Sequence, residues 1–283
     1  MIQLLSDVYD QKDATFEVIV VDDRSTDDSV KEIKKQFPAV RVFVNAVNSG
    51  PSVTRNRGIK EAIGEIIVGF DSDVTVPDKF CLKKIVEEFK NFPHIDALAF
   101  RLLQPDQTTD DFARWWHPLD CRAFSKQKFL TDYFSGTGYA FVKAKIEEAG
   151  AFPEYLYMHY EEVILALCAI DNGQMIQYTP SIEVVHHEGQ VSRRTEIKAF
   201  YKHRNQLLLA YLHYPVFKAL KYVLPRTAKA FLDSITNNSV KSYFKALRSA
   251  PQVVKDHSLK RAPIKRKTLK ILNSYRKATV SKP

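Results

Sequence analysis

At 283 residues, with 45% hydrophobic and 12% aromatic content, the chain is long enough for one large or two small domains around a real core. Its three cysteines, Cys81, Cys121 and Cys168, are scattered and form no CxxC pair, which argues against a disulfide framework or a zinc site and predicts a reducing compartment. Met1–Asp10 lacks the basic and apolar regions of a secretory signal, and no window of about 18 uncharged apolar residues predicts a membrane span. The net charge of +9 is uneven: residues 213–283 hold 17 Lys/Arg and 2 Asp/Glu, a balance of +15, which leaves 25 against 31, a balance of −6, for residues 1–212. This divides the chain into a mildly acidic body and a basic helical C-terminal region suited to an anionic surface.

Nearly continuous apolar runs predict strands over Phe16–Val21, Val40–Val44 and Glu65–Phe70, as expected for a sheet covered on both faces. Between them, Ser29–Phe37 carries Val30, Ile33 and Phe37 at helical spacing, with Asp27 or Asp28 to cap it, and Ser52–Ile63 is a second helix. The alternation argues for a parallel, doubly wound α/β sheet. Ligands of such sheets sit beyond the carboxyl ends of strands, where Asp22-Asp23 and Asp71-Ser72-Asp73 fall. Like charges one residue apart repel, so Asp71 and Asp73 imply either a bound cation or a solvated turn.

Further on, Asp78–Lys90 reads as a helix, and Ser135-Gly136-Thr137-Gly138 is a turn leading into a strand and a short helix. Glu161–Ile170 reads as a helix closed by Asn172-Gly173. Met175–Tyr178 and Ile182–Val185 read as two short strands separated by Pro180. From Thr195 the pattern is helical and aromatic-rich, punctuated by Pro215, Pro225, Pro251 and Pro263.

The series VVDDRSTDDS (20–29), NSGPSVTRNRGIKEAIGEIIVGFDSD (48–73), GTGYAFVKAKIEEAGAFPE (136–154) and HYEEVILALCAIDNG (159–173) resembles the family 2 glycosyltransferases, over about residues 1–210. Bacterial polysaccharide enzymes, including rhamnosyltransferase-like members, look most similar. The resemblance implies a GT-A fold, a Rossmann-like doubly wound mixed sheet, and inverting transfer of a sugar from a UDP-, dTDP- or GDP-linked donor to a glycan or lipid-linked acceptor. By the same resemblance Asp71 and Asp73 match the family's DxD motif and hold Mg²⁺ or Mn²⁺, with Asp73 the usual direct ligand and Asp71 either at the metal or touching the ribose or a metal-bound water. The resemblance also places Asp22 and Asp23 at the nucleotide, Arg55 and Asn56 beside it, and Gly136, Thr137 and Gly138 beside the transferred sugar. Glu162 matches the catalytic base, with glutamate where the family has aspartate, and Glu161 beside it is a second catalytic candidate that can share the role. His186 and His187 match a position near the metal. Arg57 is expected to face solvent, and Trp115, Trp116 and His117 lie in the acceptor-side region, as core residues or as a sugar platform.

Members of the family open with a strand of the kind VSVIIPTYN, whereas this chain starts at Met1 inside the following helix. The expectation is a first strand missing from the sheet, through a late start or a truncation, with the strands ending at Asp22 and Asp71 pairing directly or leaving ladder groups unmatched. Residues 1–212 are the expected GT-A domain. The basic residues 213–283 are expected to pack as a helical tail or to lie on an anionic membrane, which would place a cytoplasmic protein at the inner face of the plasma membrane. Two other readings are an inactive glycosyltransferase-like scaffold and a nucleic-acid-binding protein, the latter unlikely, since the basic tail carries no recognition motif.

Overall fold

The computed structural model describes residues 1–187 and 195–277; Glu188-Gly189, after the histidine pair, and residues 278–283 of the basic region lie outside the described residues. The chain opens in α1 (Ile2–Tyr9), β1 (Ile19–Asp22), α2 (Ser29–Gln36), β2 (Arg41–Val44), α3 (Pro51–Glu61) and β3 (Ile66–Phe70), the alternation expected. It continues through β4 (Val74–Thr75), α4 (Cys81–Asn91), β5 (Ala97–Leu103), α5 (Cys121–Phe124), β6 (Phe129–Leu130), β7 (Gly138–Val142), α6 (Lys143–Glu148), α7 (Glu161–Asp171) and β8 (Ile176–His186). Four helices follow: α8 (Thr195–His213), α9 (Val216–Thr236), α10 (Val240–Asp256) and α11 (Arg266–Tyr275).

The strands form a mixed arrangement, as the family resemblance implied, where the alternation alone suggested a parallel sheet. β1 and β2 pair in parallel, Ile19 opposite Arg41 through Asp22 opposite Val44. The other strands lie in the order β3-β7-β5-β8-β4, with β6 on β8. β7 runs antiparallel to both β3 and β5, while β5 and β8 are parallel. Among the described residues β1 and β3 share no ladder, so the strands ending at Asp22 and Asp71 belong to separate sheets. α1 spans the two: Leu4 is buried with Val74, Ile85 and Val184 of one cluster, and its neighbour Leu5 with Val20, Ile33 and Val40 of the other.

β5 was not expected from sequence, yet it is a central strand, hydrogen-bonded on both sides and buried at every residue but Arg101. β8 is one strand where two were expected. Its pairing with β5 passes from Phe100–Thr179 to Arg101–Glu183, so residues 180–182 bulge out and accommodate Pro180 without breaking the element. α7 closes as expected, with Gly173 in the left-handed region at φ +88°. The C-terminal helices do not stand apart from the body. Leu208, Leu209, Ala250 and Leu272 are buried in the same cluster as Phe134, Phe141 and Leu165. No helix among the described residues is long and apolar enough to cross a membrane.

Candidate active site

One strand pairing fixes the place of Asp73. β3 ends at Phe70, Asp71 and Asp73 follow, and β4 then pairs with the end of β8 so that Val74 stands opposite His186. The backbone N–H of His187 donates to the Asp73 carbonyl at 2.8 Å. This register sets the buried His186 ring between two carboxylates, with Nε2 3.6 Å from Asp73 Oδ2 and Nδ1 3.1 Å from Asp111 Oδ2. Burial alone would lower the His186 pKa; its hydrogen bonds to Asp111 and Asp73 outweigh burial and push it up to about 9. Burial likewise opposes the ionisation of Asp73 and Asp111, and contact with His186 brings each below its ordinary range. His187 turns away from this group and meets Thr75, Nε2 to Oγ1 at 2.9 Å.

Asp71 faces a second cluster. Arg55, on α3, donates from Nη2 to Asp71 Oδ1 at 2.9 Å, and from Nη1 to Glu162 Oε1 at 3.3 Å and Glu161 Oε1 at 3.5 Å. Its guanidinium also lies over the Phe152 ring. Burial works against the Arg55 charge, and Asp71, Glu162 and Glu161 together outweigh it and raise its pKa. The Gly136 N–H donates to Glu162 Oε1 at 3.2 Å, and the Thr137 hydroxyl donates to Asp71 Oδ2 at 3.4 Å. A Cβ on Gly136 would land on the Arg55 guanidinium and the Glu162 carboxylate, so glycine is required for close approach rather than for a special φ. Gly138 lies just beyond, as the first residue of β7.

Glu161 and Glu162 open α7, where the helix N-terminus favours negative charge. Burial raises both pKa values; Glu162 adds to the effect on Glu161, while Arg55 opposes it on both. The two differ in access. The Glu161 side chain is 5% exposed and its Oε2 has no hydrogen-bond partner among the described residues, whereas Glu162 is 16% exposed. The segment leading to them is bent: Tyr157, His159 and Tyr160 have φ of +65°, +66° and +73°. Asn205 of α8, fully buried, holds this bend by donating from Nδ2 to the carbonyls of Met158 at 2.7 Å and His159 at 2.8 Å, with Leu156 at 3.2 Å. Strain of this kind persists only where the surroundings impose it.

Other expected site residues have structural partners. Asp23 accepts hydrogen bonds from Ser49 N–H, Gly50 N–H and Asn45, which ties the loop before α3 to the end of β1. Asp22 accepts from Ser25 N–H at 2.9 Å. Asp27 accepts from Ser29 N–H and so serves the start of α2. Asn56 turns away from Arg55 and clips residues 152–154, bonding Phe152 through both its carbonyl and its amide. Arg57 is half-buried and donates to the Val44 carbonyl and Asn45 Oδ1. Of the acceptor-side aromatics, Trp115 and His117 pack with Phe129 and Tyr178 in the core, while Trp116 is exposed and stacks on Tyr133 beside Tyr160. Sequence reasoning missed Asp111 and Asn205. The former carried no local signal; the latter lies in Arg204-Asn205-Gln206, a polar triplet ahead of the apolar run LLLAYL.

Comparison with known proteins bears on the family and the fold. The family described as Glycosyl transferase family 2 matches residues 1–150, more than half of the chain. An uncharacterized glycosyltransferase of Rickettsia felis is 38% identical over 91 residues, 31% of this chain and 14% of that protein. A poly(ribitol-phosphate) beta-glucosyltransferase of Bacillus spizizenii is 47% identical over 62 residues, 20% of this chain and 10% of that protein. The matches therefore span only a small part of these relatives. Among solved structures, S. aureus TarS 1-349 in complex with UDP-GlcNAc has a TM-score of 0.59 at 20% identity, covering 89% of this chain and 77% of that one. The mannosyltransferase PcManGT from Pyrobaculum calidifontis, in complex with GDP-Man and Mn2+, has a TM-score of 0.56 at 18% identity, covering 96% and 79%. These likenesses show the GT-A fold, and the family match shows that the chain belongs to glycosyl transferase family 2.

Proposed function

We propose that this chain transfers a sugar from a nucleoside-diphosphate donor to an acceptor hydroxyl by a single displacement that inverts the anomeric carbon. The observation that carries this reading is the Arg55 bridge, which ties the acidic pair after β3 to the carboxylates that open α7 across the Gly136–Thr137 turn. Glu162 is the general base: it is the more accessible carboxylate, and Gly136 N–H and Arg55 fix its Oε1. Burial raises its proton affinity, which suits a base working near neutral pH. It takes the acceptor's proton as the acceptor oxygen attacks the anomeric carbon from the face opposite the departing diphosphate. Glu161, more deeply buried, supports the site from beneath. Arg55 holds three carboxylates in register rather than reaching the diphosphate itself. Asp22, at the end of β1, faces the nucleotide, and the exposed Trp116 offers an aromatic face to an acceptor sugar.

The donor set fits a divalent cation. Asp73 Oδ2 and His186 Nε2 lie 3.6 Å apart and would offer a carboxylate oxygen and, once the ion displaces its proton, an imidazole nitrogen, a combination that suits Mn²⁺. Among the described residues no three metal-type ligands converge, so Asp73 and His186 would hold the ion together with donor phosphate oxygens. When bound, Mg²⁺ or Mn²⁺ would neutralise charge on the leaving diphosphate. The complexes of TarS with UDP-GlcNAc and of PcManGT with GDP-Man and Mn2+ support a nucleotide-sugar donor and a divalent ion.

The test is release of nucleoside diphosphate from UDP-, dTDP- and GDP-sugars with Mn²⁺ and a hydroxyl acceptor. The wild-type chain is expected to turn over one donor class. Glu162→Gln is expected to lose about 10²–10⁴-fold in kcat with little change in donor KM. Wild-type turnover by Glu162→Gln would move the base elsewhere, and metal-dependent turnover by Asp71→Ala/Asp73→Ala would overturn the metal assignment.

A further inference from the structure

We propose that the outward face of α9 is a docking surface for an anionic lipid bilayer. α9 is apolar on its outer side as well as on the side that faces the core. Its inner side packs Ala219, Tyr222 and Val223 onto the main core and buries Ser234. Its outer side presents Phe217, Leu220, Leu224, Phe231, Leu232 and Ile235, with Phe217 70%, Leu224 64% and Leu232 62% exposed. Spacings of three, four and seven residues put these side chains on one stripe along the 21-residue helix. A contiguous exposed apolar stripe marks an interaction site, whereas scattered apolar residues do not.

Charge selects the occupant. α9 carries Lys218, Lys221, Arg226 and Lys229 against one acid, Asp233, which pairs with Lys229 at 2.9 Å. Lys221 stands over the exposed Phe217 ring, with Nζ 4.5 Å from its centroid, so cation and apolar side chain share one edge of the stripe. α10 adds the exposed Phe244 beside Lys241 and Lys245, next to the Phe231–Tyr243 contact that joins it to the end of α9. Lys218 and Arg226 lie over Tyr214 and Tyr222 on the core side, but an apolar stripe with Lys221 at its edge and Lys241 on the adjoining helix suits a headgroup–acyl boundary, with the stripe entering the lipid and the amines reaching phosphates. Because no described helix can span a bilayer, α9 lies on the surface.

The opposite side of α9 reaches the candidate active site: Tyr222 Oη donates to Tyr160 Oη at 3.5 Å, and Tyr160 immediately precedes Glu161. A helix is about 10–12 Å across, so docking brings the start of α7 close to the lipid surface. On the transferase reading proposed above, on which this last step rests, the acceptor hydroxyl is carried by a lipid-linked molecule.

Flotation of the full chain on phosphatidylcholine vesicles with and without phosphatidylglycerol tests the surface, and its readout does not depend on sugar transfer. The wild-type chain is expected to float with the anionic vesicles, less so at high salt. Phe217→Asp/Leu224→Asp is expected to lower binding at least about tenfold. Ile63→Asp, at a body position 84% exposed, is expected to bind as wild type. Circular dichroism and thermal unfolding check that each variant folds. Failure of the wild-type chain to float, or equal flotation of the α9 variant, overturns the proposal. So does a lipid-free dimer that the α9 variant converts to monomer without any vesicle binding, which would assign the face to a second copy of the chain.

Discussion

Arg55 Nη2 lies 2.9 Å from Asp71 Oδ1, and this contact joins the strand end that carries the acidic pair to the helix start that carries Glu161 and Glu162. Three carboxylates converge on one guanidinium whose side chain is only 15% exposed. Removing one member of a buried ionic group leaves the others uncompensated, at a cost of about 3–5 kcal/mol. Arg55→Met is therefore expected to unfold at markedly lower urea concentration near neutral pH. The deficit should shrink in acid, as the stranded carboxylates take up protons. Arg55→Lys should recover little of the loss, because an ammonium on a flexible stem cannot fork to three partners. Equal urea midpoints for wild type and Arg55→Met would show that the cluster contributes nothing to the fold.

Asp71 and Asp73 were legible because an apolar run ending in two acids has few explanations, and β3 does end there. What was not legible is where each carboxylate turns. Whether Asp23 meets a nucleotide or the N–H groups of Ser49 and Gly50 depends on how the loop before α3 closes, which no local pattern encodes. The partner of His186 was hidden for a similar reason. Asp111 lies 75 positions away and reaches the ring only because β4, β5 and β8 lie in one sheet. β5 itself, ALAFRLL, has the apolar run of a buried strand but lies in a stretch where no family motif drew attention to it. Charge imbalance suggested a separate C-terminal appendage. Its helices nevertheless insert Ala250 and Leu272 into the main core, because each carries a narrow apolar stripe that the count of lysines conceals.

Glu161 gives a pH signature. Burial and the neighbouring Glu162 raise its pKa above the ordinary value of 4.5, so the folded state binds a proton that the unfolded chain releases. The associated stability is complete below about pH 4.5 and is lost as pH rises toward and through the raised folded-state value. Glu161→Gln supplies a permanent neutral group of the same shape. Its thermal midpoint is expected to fall less steeply than that of wild type across this window, the slope from Glu162 remaining. Parallel midpoint-against-pH curves would mean that Glu161 ionises in the folded state as freely as in the unfolded chain.

Asn205 holds the bend that presents Glu161 and Glu162. Asn205→Ala removes the amide donor to the Met158 and His159 carbonyls and loosens the hold on three left-handed residues. Losing the side-chain hydrogen bonds of a buried amide costs about 1–3 kcal/mol, and a loss of that order in chemical denaturation is expected. If the bend serves to aim Glu162, kcat should fall by more than tenfold at temperatures where the variant is still folded, with donor KM little changed. A stability loss with kcat intact would make Asn205 a core residue only.

Asp111 acts on the proposed metal through His186. Its Oδ2 is 3.1 Å from Nδ1, which leaves Nε2 directed at Asp73. A carboxylate behind a ligating imidazole fixes its tautomer and raises its basicity, and losing it typically weakens metal affinity 10–100-fold. Asp111→Asn keeps an acceptor oxygen of similar shape but removes the charge. In Mn²⁺ titrations with nucleoside diphosphate present, followed by electron paramagnetic resonance, the variant is expected to need about 10–100-fold more metal. Its turnover should return toward wild type at saturating Mn²⁺. A purely packing role would predict a lower thermal midpoint with the Mn²⁺ affinity unmoved, and that outcome would detach Asp111 from the metal.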